Sequence, residues 1–238
     1  MHRILSLCLC LAAGAVPAQE TWSTALSRMP LNPPVRELTR TNCVDVLWHS
    51  LQSNAVVKGM VLMPGATDTW YLFRPAKVEL GSPNPSLFDA ICALTNQTRI
   101  QVTFRPPLLL LHTEVDLDSP VMEIRDQPTA RKLQQTPFLP HAVFNDRDWD
   151  YLRPILRRKL KVGLRPWRYT QDSWHFYRHT FVGWNLTGWE TLEALALAAK
   201  TTCTIERKKV VFAVDMRLPA PTTNPVPRQS APGPASGG

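Results

Sequence analysis

Apolar positions recur along this chain in one layout that appears twice, about one hundred residues apart, the mark of an internal repeat. Asn42 to Met60 (NCVDVLWHSLQSNAVVKGM) answers Asp146 to Leu164 (DRDWDYLRPILRRKLKVGL), and Ser86 to Phe104 (SLFDAICALTNQTRIQVTF) answers Glu190 to Arg207 (ETLEALALAAKTTCTIER). In this alignment Gly59 falls opposite Gly163 and Ile91 opposite Leu195. The residues match poorly in identity but well in order: strand, helix, two strands, helix, two strands. Two tandem copies of one small unit are expected.

In the first copy, Val35 to Leu38 reads as a short strand, and Thr41 or Asn42 is placed to cap a helix with Val44, Leu47, Trp48 and Leu51 on one face, ending near Asn54. Strands follow at Val56 to Leu62 and Trp70 to Leu80, then a helix striped by Leu87, Ala90, Ile91 and Leu94. Ile100, Val102 and Phe104 alternate with polar residues, Arg105-Pro-Pro turns the chain, and Leu108 to His112 closes the unit. The second copy starts at His141 to Phe144 and continues with a helix carrying Tyr151, Leu152, Ile155 and Leu156. Pro154 predicts a kink there or a start near Arg153. Val162 and Leu164, then Trp174 to Trp184, predict strands; Thr191, Leu192, Leu195 and Ala199 predict a helix; Ile205 and Val210 to Val214 finish the copy. Short alternating elements without long crossovers predict an α+β class: two tandem modules, each with two helices packed on short mixed or antiparallel sheets.

The flanks read differently. Met1 to Arg3 precede an uncharged apolar run from Ile4 to Val16 that ends in Val16-Pro17-Ala18, the pattern of a secretory signal covering residues 1–18. Export to a periplasmic or extracellular location is therefore expected, with no transmembrane segment after it. Residues 35–113 and 141–215 are expected as the two modules, with 114–140 as a polar, proline-bearing linker in which Val115, Leu117, Val121, Met122 and Ile124 allow an edge strand or packing on the first module. Residues 216–238, with Pro219, Pro221, Pro225, Pro227, Pro232 and Pro234 and no apolar period, read as a disordered tail. Past the signal, Cys43, Cys92 and Cys203 remain. A Cys43–Cys92 bridge is conceivable if the two helices of the first copy pack side by side; otherwise these thiols read as small buried hydrophobes.

The β-α-β-β-α-β-β order, with SLFDAICALTNQTRIQVTF and TLEALALAAKTTCTIE as leucine- and alanine-rich second helices feeding an apolar strand, resembles the short N-terminal domain of secretins and TonB-dependent receptors. Here it stands as tandem, divergent copies without a barrel or pore domain among the 238 residues. The resemblance spans Val35 to Thr113 and His141 to Asp215. It implies a non-catalytic periplasmic interaction domain, with no catalytic residue to carry over.

The residues themselves offer little for catalysis. His175 and His179 stand four apart, but in WHFYRHTF they lie on a strand pattern that holds them about 13 Å apart, too far for one metal. Asp146, Asp148 and Asp150 read as a helix start. No Gly-x-Ser-x-Gly elbow or phosphate-binding glycine loop is present. No cofactor is expected.

Charge is more informative. Lysine and arginine number 27 against 19 acidic residues, and the excess gathers in the second copy. Arg157, Arg158, Lys161, Arg165 and Arg168 interleave with Trp167, Trp174, Tyr177 and Trp184, and these nine are the candidate partner-binding residues. Three readings follow. The first is an exported interaction module that docks onto an envelope protein or self-associates through sheet edges. The second is a polyanion-binding protein, its partner an anionic lipid, a cell-wall polymer or, less fittingly for an exported chain, nucleic acid. The third is an enzyme with an unfamiliar site. A solvated basic helix face beside an aromatic sheet core is the plain alternative for the basic stretch.

Overall fold

The computed structural model describes residues 20–63, 77–112, 121–147, 149–166, 179–199 and 201–214. The first module runs α1 (Trp22–Ser27), β1 (Glu37–Thr39), α2 (Cys43–Ser50), β2 (Gly59–Leu62), β3 (Lys77–Glu79), α3 (Leu87–Gln97), β4 (Gln101–Arg105), β5 (Leu108–His112). The second runs β6 (Met122–Ile124), α4 (Gln127–Gln135), β7 (His141–Arg147), α5 (Trp149–Leu160), β8 (Gly163–Pro166), β9 (His179–Trp184), α6 (Gly188–Ala198), β10 (Thr201–Glu206), β11 (Lys209–Val214). The fold is α+β, and the two halves share not only element order but pairing. β1 pairs antiparallel with β3 as β7 does with β9. β2 pairs parallel with β5 as β8 does with β11, and β4–β5 is an antiparallel hairpin like β10–β11.

Local chemistry explains the helix starts. Ser86 and Thr187 each close a capping box with the acid three residues on, Asp89 and Glu190. Each box fixes two donors that the first helical turn leaves unsatisfied, for about 1 kcal/mol. These matching boxes set the true alignment of α3 and α6, and they correct the sequence alignment by three residues: Ile91 corresponds to Leu192 rather than Leu195. α5 begins at Trp149, not near Arg153, and carries Pro154 within it.

The stretch expected as a linker is part of the second module. α4 packs against α6 as α1 packs against α3. The segments just after these leading helices are anchored alike to the starts of α3 and α6: the Leu87 amide donates to Met29 O at 2.7 Å and the Gly188 amide to Thr136 O at 2.7 Å. Leading helices at 22–27 and 127–135 therefore extend the repeat on its N-terminal side. β6 does form the edge strand the apolar residues allowed, but it pairs with β10 of the second module.

Nor are the modules strung apart. β2 of the first pairs antiparallel with β9 of the second, Met60 opposite Val182 and Val61 opposite Phe181, making one five-stranded sheet in the order β4-β5-β2-β9-β7. Its two faces serve two cores. Met60, Leu62, Leu109, Leu111 and Val182 point into the core of the first module. Val61, Met63, Leu108, Leu110, Phe144 and Phe181 point into that of the second. α6 lies between this sheet and its own and is buried on every side, from Leu192 through Ala198. α3, its counterpart, keeps Asp89, Asn96 and Gln97 exposed.

Candidate functional site

The junction that fuses the modules is clamped by ion pairs. Lys58 Nζ lies 3.0 Å from Glu190 Oε1, and Arg105 Nε lies 2.9 Å from Glu193 Oε1. Burial pushes the Glu193 carboxyl above its ordinary range, and the Arg105 guanidinium pulls it back only in part. Trp184 belongs to this junction. Its Nε1–H donates to Leu51 O at 2.6 Å, and its ring stacks on His141 with centroids 3.9 Å apart. Of the aromatics expected to meet a partner, Trp184 thus holds the two modules together, half-buried. Trp167, Trp174 and Tyr177, with Arg168, lie outside the described residues.

The basic candidates that are described, Arg157, Arg158, Lys161 and Arg165, are all exposed. Leu152, Leu156 and Leu160 bury the opposite stripe of α5, so the amphipathic period itself places the arginines outward. The fold adds three cations that sequence reading did not join to them. The Gly163 amide donates to Lys208 O at 3.0 Å, which sets the tip of the β10–β11 hairpin, Arg207 to Lys209, beside the end of α5. The signal was present as the run Arg207-Lys208-Lys209 between two apolar strands. Nothing in the sequence said which helix it would meet.

A second surface is the outer edge of β7. Among the described residues β7 has a strand partner on one side only, β9. Its ladder is interrupted between Phe144 and Arg147, and Val143 is 40% exposed on it. The Asn145 side chain donates to Asp45 Oδ1 at 3.0 Å, which ties this edge to α2 of the first module.

Among the described residues no three His, Cys, Asp or Glu side chains are grouped to hold a metal. His179 is buried in β9 with Nδ1 3.1 Å from Arg147 O; His175 lies outside the described residues. Cys43, Cys92 and Cys203 are free, so the Cys43–Cys92 bridge is not formed. Burial drives the thiols of Cys43 and Cys203 far above their ordinary range, as expected of small core hydrophobes. Cys92, expected to be buried, is only partly so. No described helix is long and apolar enough to cross a membrane.

Comparison of the chain with protein-family models, with curated proteins and with solved structures returned no match.

Proposed function

We propose that this chain is an exported, non-catalytic protein-interaction module of the cell envelope, docking to another envelope protein or to a second copy through a sheet edge. The observation that carries the reading is the β7 edge: seven residues long, with no second strand paired to it among the described residues, Val143 exposed on it, and α2 held against it by the Asn145–Asp45 hydrogen bond. Such an edge is a template for strand addition, in which main-chain hydrogen bonds supply affinity and alternate side chains supply selectivity. The duplicated β-α-β-β-α-β-β topology adds support, because the two halves share strand pairing as well as element order, as tandem copies of one interaction module would. An export signal over residues 1–18 and a periplasmic or extracellular site of action complete the reading.

The test is a photo-crosslinking amino acid placed at Val143 in cells, with the same group at Glu79 on β3 as control. A discrete protein adduct at 143 that is absent at 79, and lost when Asn145→Pro blocks the edge, is the expected result. Equal labelling at both positions, or none at 143, overturns it.

A further inference from the structure

We infer that the end of the second module built from α5 and the β10–β11 hairpin is a docking surface for an anionic lipid bilayer. This goes beyond docking through β7 and does not depend on it. Arg157, Arg158 and Lys161 at the end of α5 meet Arg207, Lys208 and Lys209 at the hairpin tip through the Gly163–Lys208 hydrogen bond. All six are exposed, and among the described residues none of them forms an ion pair. Of the nearby carboxylates, Asp126 lies against the cluster at Lys208 and the others face Arg125. Asp126 Oδ2 accepts the backbone amide of Lys208 at 3.0 Å and the Thr129 hydroxyl at 2.7 Å. Glu123 and Glu206 lie 2.9 and 3.9 Å from Arg125.

A second observation sets this cluster apart from an ordinary basic surface. Lys161, Arg207 and Lys208 have φ of 53°, 38° and 63°, and they are three of the four non-glycine residues at positive φ among the described residues. The left-handed region is disfavoured for residues bearing a β-carbon. A helix end takes glycine there, and a two-residue hairpin turn takes Asn-Gly. The first module has no such arrangement: its corresponding turn is Pro106-Pro107, and its α2 ends on Leu51 at φ −67°. The second module alone places long cations on backbone that glycine would relax. Strain retained in this way collects at functional positions.

The shape of the cluster selects the partner. A single-stranded nucleic acid needs aromatic platforms beside the cations; of the described aromatics, Trp184 is turned inward onto His141 and Leu51, and the exposed Tyr151 ring on α5 is covered by Arg147 at 4.8 Å. Cations on a helix end and a hairpin tip meet a flat anionic surface together, as juxtamembrane basic clusters do.

The experiment uses the chain from residue 19 to 238. Sedimentation with vesicles of phosphatidylcholine alone, or of equal parts phosphatidylcholine and phosphatidylglycerol, measures binding, and thermal unfolding is followed in parallel. The triple variant Lys161→Gly, Arg207→Asn, Lys208→Gly removes charge and strain together. The expected result is binding to the anionic vesicles only, weakened more than about tenfold in the variant, together with a higher melting temperature than wild type. No binding to anionic vesicles, equal binding to both compositions, or binding unchanged in the variant overturns the proposal. Tighter binding to a single-stranded oligonucleotide than to the vesicles overturns the choice of a bilayer. A variant no more stable than wild type overturns the strain argument on which the assignment rests.

Discussion

Lys58, just ahead of β2, and Glu190, in the first turn of α6, meet across the module boundary with Nζ and Oε1 3.0 Å apart. The same Glu190 carboxylate, through Oε2, accepts the Thr187 amide at 2.8 Å and so completes the capping box of α6. One side chain therefore both starts the helix and clamps it to the neighbouring module.

The two roles separate by substitution. Lys58→Met keeps the apolar stem and loses only a partly exposed ion pair, at a cost below about 1 kcal/mol. Glu190→Ala loses the pair and half of the cap, for about 1–2 kcal/mol. Thr187→Ala loses the other half of the cap, for about 1 kcal/mol. Urea unfolding of the three variants checks the order, and a double-mutant cycle between positions 58 and 190 measures the pair itself.

The repeat was legible because period and punctuation are local. Alternating Ile100, Val102 and Phe104, the stripe of Leu87, Ile91 and Leu94, and paired Gly59 and Gly163 each declare an element without help from the rest of the chain. α4 was not legible. Its sequence QPTARKLQQ buries only Thr129, Ala130 and Leu133, too short an apolar stripe to stand out from a linker. The β2–β9 pairing joins strands from different copies, a long-range contact with no turn to announce it, yet it left a trace. β5 is apolar from Leu108 through Leu111 and buried on both faces, whereas its counterpart opens on exposed Lys209 and keeps Val211 half-buried on its outer face. At the basic end, the charges of α5 were readable and their meeting with Arg207 to Lys209 was tertiary.

The same pairing gives equivalent glycines unequal tolerances. A β-carbon at Gly59 would lie 2.9 Å from Val182 O, backbone of the strand that crosses the boundary, and 2.9 Å from Leu108 Cδ2. At Gly163 the nearest atom would be Lys209 Cγ, at 3.2 Å, on a flexible exposed side chain. Gly59→Ala is expected to cost about 1–3 kcal/mol, because a sheet strand must shift. Gly163→Ala is expected to stay within about 0.5 kcal/mol of wild type. Melting temperatures of the two variants, measured side by side, decide the matter; equal losses would mean that β9 does not press on β2.

Thiol labelling reports the two cores. Cys43 and Cys203 are buried and Cys92 only partly so. Burial pushes all three thiols above their ordinary range, and Cys92 least buries its sulfur. Maleimide labelling of residues 19–238 under native conditions should modify Cys92 first. Cys43 and Cys203 should follow only at the rate at which their own modules open, because a thiol buried this way neither ionises nor meets reagent. Peptide mass spectrometry over a time course separates the three sites, and similar rates for Cys43 and Cys203 would indicate that the fused modules unfold as one unit.

Two buried groups tilt stability with pH in opposite senses. His112 is 2% exposed; its Nε2 lies 2.9 Å from Thr103 Oγ1, and its Nδ1 has no hydrogen-bond partner among the described residues. Burial lowers its proton affinity below the ordinary 6.5. As pH falls through 6.5 the unfolded chain takes up a proton that the folded chain refuses, so this group removes stability on acidification and none above 6.5. Glu193 runs the other way. Its raised carboxyl, ordinarily at 4.5, holds a proton in the folded state that the unfolded chain has released, so stability falls as pH rises from 4.5 through the folded value. The two slopes are opposite in sign, that of His112 setting in below 6.5 and that of Glu193 above 4.5. His112→Leu should therefore gain on wild type as pH falls below 6.5, and Glu193→Gln should gain on wild type as pH rises above 4.5. Urea midpoints for the three proteins from about pH 4 to 8 test both signs at once. Variant curves that run parallel to wild type would show that neither group is held in its neutral form by the fold.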